Sequence, residues 1–254
     1  IERQGNPWQI SAERLGWSEG LEVPTVETNP NFEYLYWVGC APSYEPRAKE
    51  VARSFVKILN TAGVNYAVMG DLERCSGDTA RRAGHEYLFR EMAAANINTL
   101  NDVGARKVVV TCPHCMHTLG TEYPQFGASL EVVHHTTLIR DLLSAGLLEI
   151  GGGDSGLGRV TFHDPCYLGR HNGVFTDPRV ILESVTDDLV EMPRHGNNSF
   201  CCGAGGAQMW KEEEQGVDAV NSTRLSEAQN TDAETLAVGC PFCLVMLGDA
   251  NRAA

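Results

Sequence analysis

The stretch VVVTCPHC spans residues 108–115, and the stretch LAVGCPFC spans residues 236–243. Each is a short apolar run, typical of a buried β-strand, that leads into a Cys-Pro-x-Cys pair. Working outward, the nine cysteines form two sets in the same order: Cys40, Cys75, Cys112 and Cys115, then Cys166, Cys201, Cys202, Cys240 and Cys243. Four of the first set lie 126 or 128 residues before their counterparts. Because chance would not keep four offsets within two residues, the pattern indicates a duplicated metal-ligand frame.

One position breaks the duplication. The second set contains the doublet Cys201-Cys202 followed by Gly203, whereas the first set has Cys75, Ser76 and Gly77. The first set therefore offers four thiols and the second offers five. We expect two related sites that are not identical.

Strands and helices alternate around these cysteines. Apolar runs predict strands at residues 34–39, 64–69, 107–111, 131–134, 159–162, 189–192 and 235–238. Helical spacing predicts helices at residues 45–62, 79–101, 136–145, near 179, 211–229 and 244–252. This alternation predicts an α/β fold of two pseudo-symmetric repeats, each a small, mainly parallel sheet with flanking helices. The cysteine ligands would then lie at the carboxyl ends of strands, where open α/β sheets place their sites.

The repeats also predict the domain organisation. Residues 1–32 lack clear periodicity and are expected to form an N-terminal arm, and residues 33–148 form the first repeat, with its Cys-Ser-Gly variant. The glycine-rich stretch EIGGGDSGLG at residues 149–158 is the predicted linker, and residues 159–254 form the second repeat. The chain begins at Ile1 without a methionine, and we interpret it as a fragment.

Charge and hydropathy narrow the class of protein. The net charge of −13 argues against a nucleic-acid partner, because a phosphate-binding face needs clustered Lys and Arg, and it favours a basic or neutral redox partner. No run approaches the roughly 18 apolar residues of a membrane-spanning helix, and no signal peptide is visible. We therefore expect a cytoplasmic module.

The cysteine pattern itself bears on the identity of the metal. An odd number of cysteines in close pairs is atypical of a secreted disulfide scaffold. Structural zinc sites close with four ligands, whereas the second set offers five, and both close pairs contain a proline of the kind found beside iron-sulfur ligands. Iron-sulfur clusters are the favoured interpretation, and a zinc-bound interaction module is the alternative.

The order Cys, Cys-Cys-Gly, Cys-Pro-x-Cys resembles the CCG cysteine-rich domain of heterodisulfide reductases and their relatives. These include iron-sulfur subunits of glycolate-, lactate- and glycerol-3-phosphate-oxidising complexes. The segments YWVGC (36–40), HDPCYLGRHN (163–172) and SFCCGAGGAQMW (199–210) are similar to the C-terminal region of membrane-bound electron-transfer-flavoprotein dehydrogenases, which feed electrons to menaquinone. The resemblance covers nearly the whole chain. It implies a parent protein attached to the cytoplasmic membrane, with ferredoxin-type and quinone-reducing modules beside this region.

The resemblance also implies the cofactors. Cys166, Cys201, Cys202, Cys240 and Cys243 would hold a non-cubane [4Fe-4S] cluster. Cys40, Cys75, Cys112 and Cys115 supply four ligands, which suffice for an ordinary cubane. A non-cubane site altered at Ser76, which contributes an oxygen or nothing, stays open, as does a first set that serves only as small core residues.

Residues near the ligands form a second group of candidates. Gly77, Gly203, Gly205 and Gly206 are predicted to let backbone amides approach the sulfurs. His163, Arg170 and His171 flank Cys166, where they could stabilise a reduced cluster or carry a proton; ordinary capping or surface pairing would explain them equally. CCGAGG lacks the context of a dinucleotide fingerprint.

These observations predict an iron-sulfur electron-transfer module of an oxidoreductase. The resemblance implies that electrons arrive from reduced electron-transfer flavoprotein and leave towards quinone. The alternatives are a heterodisulfide or thiol-disulfide reductase that acts at the five-cysteine cluster, and an iron-sulfur subunit of a glycolate-, lactate- or glycerol-3-phosphate-oxidising complex.

Overall fold

A computed structural model describes residues 1–151, 155–212 and 216–254. The chain divides into two compact units, Ile1–Leu138 and Ile139–Ala254. Within the predicted linker 149–158, residues 152–154 lie outside the described residues, and the other seven form neither helix nor strand. Within the described residues, no helix combines the length and apolar character needed to cross a bilayer.

The first unit is built on a four-stranded sheet. Its strands are β1 (Tyr34–Trp37), β2 (Tyr66–Ala67), β3 (Lys107–Val110) and β4 (Glu131–His134). They lie in the order β2-β1-β3-β4, and every pairing is parallel. The alternate residues Leu35, Trp37, Val108 and Val110 share one core with Cys112 and Cys115. This face of the sheet therefore leads directly to the cysteines.

The helices of the first unit follow the strands, as crossovers between parallel strands require. They are α1 (Cys40–Tyr44), α2 (Pro46–Thr61), α3 (Asp78–Arg82), α4 (Glu86–Asp102), α5 (Pro113–His117) and α6 (His135–Ser144), the last of which extends past the boundary between the units. The predicted single helix 79–101 was wrong, because the helix stops before Gly84. The side chain of His85 then caps α4 by accepting a hydrogen bond from Leu88 N.

The arm packs on this sheet within the first unit. Thr25 bridges to Val68, and the backbone N–H of Val68 donates to Pro24 O. A 3₁₀ helix at Arg14–Ser18 buries Trp17 edge-on against Tyr36. The buried Trp17, only 2% exposed, explains how a segment without periodicity is held in place.

The second unit contains a three-stranded parallel sheet in the order β6-β5-β7. Its elements are β5 (Val160–His163), α7 (Thr176–Glu183), β6 (Leu189–Val190), α8 (Val220–Gln229), β7 (Thr235–Val238) and α9 (Pro241–Ala253). The helix predicted over 211–229 begins at Val220 instead; residues 211, 212 and 216–219 are not helical, and residues 213–215 lie outside the described residues. In contrast, α9 begins three residues before its predicted start, because Pro241 suits the first helical turn.

The central strand pair has the same register in each unit. Trp37 pairs with Val110 at the ends of β1 and β3, and His163 pairs with Val238 at the ends of β5 and β7. The chain then reaches Cys40 and Cys166 three residues later, and Cys112 and Cys240 two residues later. These four cysteines therefore lie just beyond the carboxyl ends of the strands, and the predicted α/β architecture is confirmed.

Candidate metal centres

The first centre gathers four buried cysteines. Cys40 opens α1, Cys75 precedes α3, Cys112 caps α5 and Cys115 lies in the first turn of α5. None is more than 8% exposed. The thiols of Cys40 and Cys75 are neighbours, as are those of Cys112 and Cys115. The hydroxyl Oγ of Ser76 lies 3.6 Å from the Sγ of Cys115. The position that breaks the repeat thus faces the sulfurs.

A buried ion pair lies beside this centre. The guanidinium of Arg14 contacts the Sγ of Cys40 at 3.7 and 3.8 Å and bridges to Oε1 of Glu73 at 2.6 Å. Glu73 also accepts the backbone N–H groups of Val38 and Gly39, at 2.9 and 2.8 Å. Burial raises the pKa of Cys40, but the hydrogen bond from Cys75 and the charge of Arg14 outweigh it, so that the pKa is lowered. Arg14 therefore favours a thiolate at Cys40.

Sequence reasoning missed both members of this pair. Arg14 lies in a segment without periodicity, 26 residues before Cys40. Glu73 carries a weak signal, because it stands two residues before a candidate ligand. Only the fold brings a residue of the arm, a strand end and this loop together.

A series of hydrogen bonds between polar side chains holds the backbone of Cys75 and Ser76 in place. Asn96 on α4 donates to the carbonyl of Cys75 and to the hydroxyl of Tyr123, each at 2.9 Å. Tyr123 donates in turn to the carbonyl of Ser76 at 2.8 Å. Asn96 and Tyr123 were also missed, although a buried amide on the apolar side of a helix is a usable signal, since it requires partners.

The second centre gathers five cysteines at equivalent strand ends. Cys240 caps α9 and Cys243 lies in its first turn, while Cys166 and the Cys201-Cys202 doublet come from loops. Cys202, Cys240 and Cys243 are at most 4% exposed, but Cys166 and Cys201 are only partly buried. The thiols form a connected series in which Cys166 contacts Cys201, Cys201 contacts Cys202, and Cys202 contacts Cys243, which contacts Cys240.

This connected series perturbs the ionisation of its members. Hydrogen bonds from Cys166 and then Cys202 lower the pKa of Cys201 to about 2. The hydrogen bond to Cys201 raises the pKa of Cys202 to about 12, and the hydrogen bond between Cys166 and Cys201 raises the pKa of Cys166 as well. Five thiols at this spacing cannot all ionise without a cation, and a metal that takes the place of their protons would relieve the repulsion.

The predicted glycines divide into two pairs. The N–H of Gly77 points at the Sγ of Cys75 at 3.4 Å, and the N–H of Gly203 points at the Sγ of Cys201 at 3.2 Å. Both have a left-handed backbone, with φ of +85° and +90°, and a Cβ at Gly77 would lie 2.9 Å from Phe89. A Cβ on Gly205 or Gly206 would meet no described atom within 4 Å, although Gly206 also has a left-handed backbone, with φ of +65°. The role expected of Gly205 and Gly206 stays a prediction. In the second centre, the other backbone amide that reaches a sulfur is that of Ala204, whose N–H donates to Cys202.

The three polar candidates near Cys166 lie in different surroundings. His163 is 1% exposed, and one of its ring nitrogens lies within 4.8 Å of the sulfurs of Cys202 and Cys243. Arg170 is exposed and donates to the carbonyl of Ser199 at 2.6 Å. His171 is exposed and stacks on Tyr167, with ring centroids 4.4 Å apart. Of the three, only His163 lies among the sulfurs.

Sequence reasoning also missed Arg224, which is fully buried on α8. Its Nε donates to Nδ1 of His163 at 3.0 Å. Burial, followed by the positive charge of Arg224, lowers the pKa of His163 to about 3. A buried arginine on a predicted helix is a detectable signal, but its partner is 61 residues away.

The donor sets fit metal clusters bound by thiolates. All nine cysteines lie in the described residues, and no disulfide joins any two of them. Each set is gathered from the segments that follow three strands, and in the first set a Cβ at Gly39 would lie 3.6 Å from the Sγ of Cys115. Soft thiolate ligands in groups of four and five suit iron-sulfur chemistry.

Comparison with known proteins gives the same grouping of residues. The CCG cysteine-rich domain family matches residues 34–120 and 160–248. A probable iron-sulfur-binding oxidoreductase of Bacillus subtilis is 43% identical over all of this chain, and the EtfAB:quinone oxidoreductase of Syntrophomonas wolfei is 39% identical over all of it. One component of the dihydromethanophenazine:CoB–CoM heterodisulfide reductase of Methanosarcina barkeri is 33% identical over 98% of it. The chain spans 37% of the length of the first two proteins and 60% of the third.

Proposed function

We propose that this chain, which belongs to the CCG cysteine-rich domain family, is the iron-sulfur electron-transfer module of a larger oxidoreductase. The observation that carries the proposal is the convergence of four and five thiols at equivalent strand ends, with no disulfide among the nine described cysteines. The name of the Bacillus subtilis relative supports iron-sulfur rather than zinc.

The two centres would hold different clusters. Cys40, Cys75, Cys112 and Cys115 are the ligands of a cubane [4Fe-4S] cluster. Cys166, Cys201, Cys202, Cys240 and Cys243 hold a non-cubane [4Fe-4S] cluster, because five thiolates exceed what one cubane takes. When bound, such clusters supply one-electron oxidation and reduction. The polypeptide contributes thiolates, amide donors such as Gly77 N and Gly203 N, and burial.

The proposed electron donor is reduced electron-transfer flavoprotein. The name of the Syntrophomonas wolfei relative, EtfAB:quinone oxidoreductase, supports this partner. The quinone in that name supports electron transfer away from the flavoprotein. Electrons would leave through ferredoxin-type and membrane quinone-reducing modules of the parent protein. A relative in Chromohalobacter salexigens named as a probable membrane-anchored ferredoxin supports such a connection to the membrane.

The test begins with the protein purified without oxygen. Iron and acid-labile sulfide are measured, and EPR spectra are recorded in the oxidised and reduced states. We expect two distinct cluster signals. The protein is then mixed with reduced electron-transfer flavoprotein in a stopped-flow instrument, where both clusters should become reduced. A colourless protein with stoichiometric zinc would end the iron-sulfur proposal, and loaded clusters that the flavoprotein leaves oxidised would refute this donor.

The partial exposure of Cys166 and Cys201 favours a second candidate, the reduction of a disulfide at the second centre. Two electrons and two protons would convert one substrate disulfide into two thiols. The heterodisulfide reductase among the relatives supports this chemistry. Reduced viologen and a low-molecular-weight disulfide provide the assay. Turnover that is lost in Cys202→Ser supports the reductase. Absence of turnover in a protein with both clusters loaded would refute it and leave electron transfer as the only proposed function.

A further inference from the structure

The last residue of the central strand carries an aromatic ring N–H in each unit. Trp37 ends β1 and His163 ends β5, and both pair with the last residue of the neighbouring strand, Val110 or Val238. Both stand three residues before the first cysteine of their centre. They are 0% and 1% exposed. The two rings therefore occupy the same place in the repeat.

The contact with Arg224 determines which nitrogen of His163 carries the proton. The Nε of Arg224 donates to Nδ1 at 3.0 Å, and a guanidinium has no acceptor to offer in return. Nδ1 must therefore present its lone pair, which leaves the proton of the neutral ring on Nε2. Arg224 is itself held in place, because its Nη1 donates to the carbonyl of Arg194 at 2.8 Å and to Glu227 at 2.7 Å.

The Nε2–H group of His163 has no hydrogen-bond partner among the described residues, although the atom is buried. A buried N–H without a hydrogen-bond partner is destabilising and rare in folded proteins, so such a group calls for an explanation. Sulfur atoms lie close to this ring, since one ring nitrogen of His163 is within 4.8 Å of the Sγ atoms of Cys202 and Cys243. A cluster held by these cysteines would bring acceptor sulfur to the unpaired N–H.

Trp37 shows the same feature in the first unit. Its Nε1–H is buried without a hydrogen-bond partner in the described parts of the chain. Its ring packs in the core that includes Cys112 and Cys115. Indole can donate a hydrogen bond but cannot accept one, so it has no lone pair to offer a metal. With Nδ1 engaged by Arg224, His163 presents the same donor-only character.

We propose that Trp37 and His163 are equivalent hydrogen-bond donors, each directing its ring N–H at a sulfur of the cluster in its own unit, and that Arg224 is a positioning residue that fixes the His163 tautomer. His163 is then neither an iron ligand nor a carrier of protons at the second centre. This inference rests on the proposed iron-sulfur function. A donor to sulfur stabilises the more negative, reduced cluster and raises its reduction potential.

Matched substitutions test the donors one at a time. The reduction potential of each cluster is measured by EPR-monitored redox titration. Trp37→Phe removes the indole N–H and should lower the potential of the first cluster only. His163→Phe should lower that of the second cluster only. In His163→Gln the amide carbonyl can accept from Arg224 while the amide N–H donates to sulfur, so we expect the potential to return towards the wild-type value.

Pulsed EPR on the wild type gives a test that does not depend on the folding of a variant. Protein labelled with ¹⁵N-histidine should show a weak nitrogen coupling at the second cluster, of the size expected through a hydrogen bond to sulfur. The strong coupling of a directly bound imidazole would overturn the proposal, as would the absence of any histidine nitrogen coupling. Potentials unchanged in both phenylalanine variants would also overturn it, with the clusters still present. Absence of iron and sulfide would instead refute the proposed function.

Discussion

The two centres share a fold but differ in how far they are closed. All four cysteines of the first centre are buried, and Arg14 of the arm covers Cys40. In the second centre, Cys166 and Cys201 are partly exposed, beside the exposed side chains of Arg170 and His171. A sealed centre can exchange electrons but not atoms with its surroundings, whereas an open one can also meet a substrate. The comparison teaches that one ligand frame can serve both purposes, depending on what covers it.

Removing the doublet should have the largest effect on this comparison. Cys202→Ser gives the second centre the Cys-Ser-Gly pattern of the first. Because Cys202 contacts both Cys201 and Cys243, we expect the EPR signal of the second cluster to be lost or converted, with the first signal intact. Iron analysis and EPR provide the measurement. Two unchanged signals would show that the doublet does not supply two ligands.

The next largest effect is expected from breaking the buried ion pair beside the first centre. Glu73→Gln leaves the buried guanidinium of Arg14 without its carboxylate. Breaking a buried pair in this way costs about 3 kcal/mol or more, and urea unfolding of the loaded protein, followed by circular dichroism, measures the loss.

The matched control for that variant is Asp188→Asn, which breaks the exposed pair between Arg159 and Asp188. Exposed pairs contribute only about 0–1 kcal/mol, so the free energy of unfolding should barely change. The first cluster should also bleach faster with an iron chelator in Glu73→Gln than in the control. Equal losses in both variants would mean that the buried pair does not hold the arm over the first centre.

Smaller effects are expected from the glycines of the second centre. Gly203→Ala places a Cβ on a left-handed residue at φ +90°, which costs about 1–2 kcal/mol, and moves the amide that donates to Cys201. Gly205→Ala meets no described atom within 4 Å and should be close to neutral. Thermal unfolding of the two loaded variants separates these outcomes. A Gly205→Ala variant as unstable as Gly203→Ala would restore the larger role predicted for the glycine run.

The smallest effect concerns Ser76. Ser76→Ala removes a hydroxyl that lies 3.6 Å from Cys115, and four cysteines remain to hold a cluster. We expect full iron content and, at most, a slight change in the first EPR signal. Loss of the first cluster would instead identify Ser76 as a ligand, and the two centres would then be more alike than their sequences indicate.

Much of the fold could be predicted from the sequence because the decisive signals are local. Apolar runs such as residues 107–110 and 235–238 specify buried parallel strands, and the cysteine offsets specify a repeat. Helix boundaries were predicted less accurately where a residue at the helix start determines them, as His85 does for α4 and Pro241 does for α9.

The surroundings of the centres could not be predicted in the same way. Arg14 reaches Glu73 across 59 residues, and Arg224 reaches His163 across 61. These contacts depend on how loops and helices pack near the ends of the strands. Neither periodicity nor local spacing in the sequence specifies that packing. The position of His163 near Cys166 makes it a candidate from the sequence alone, whereas its contact with Arg224 and its equivalence to Trp37 are visible only in the structure.

The equal register of the two sheets has a consequence for how such chains can diverge in length. From the end of β1 to Cys40 and from the end of β5 to Cys166 the count is three residues, and from β3 to Cys112 and from β7 to Cys240 it is two. The two-residue difference between the repeats is absorbed elsewhere, in the connection between the second and third ligand positions. Insertions can therefore accumulate in the crossovers, whereas one extra residue between a strand end and its cysteine would turn the sulfur away from its partners.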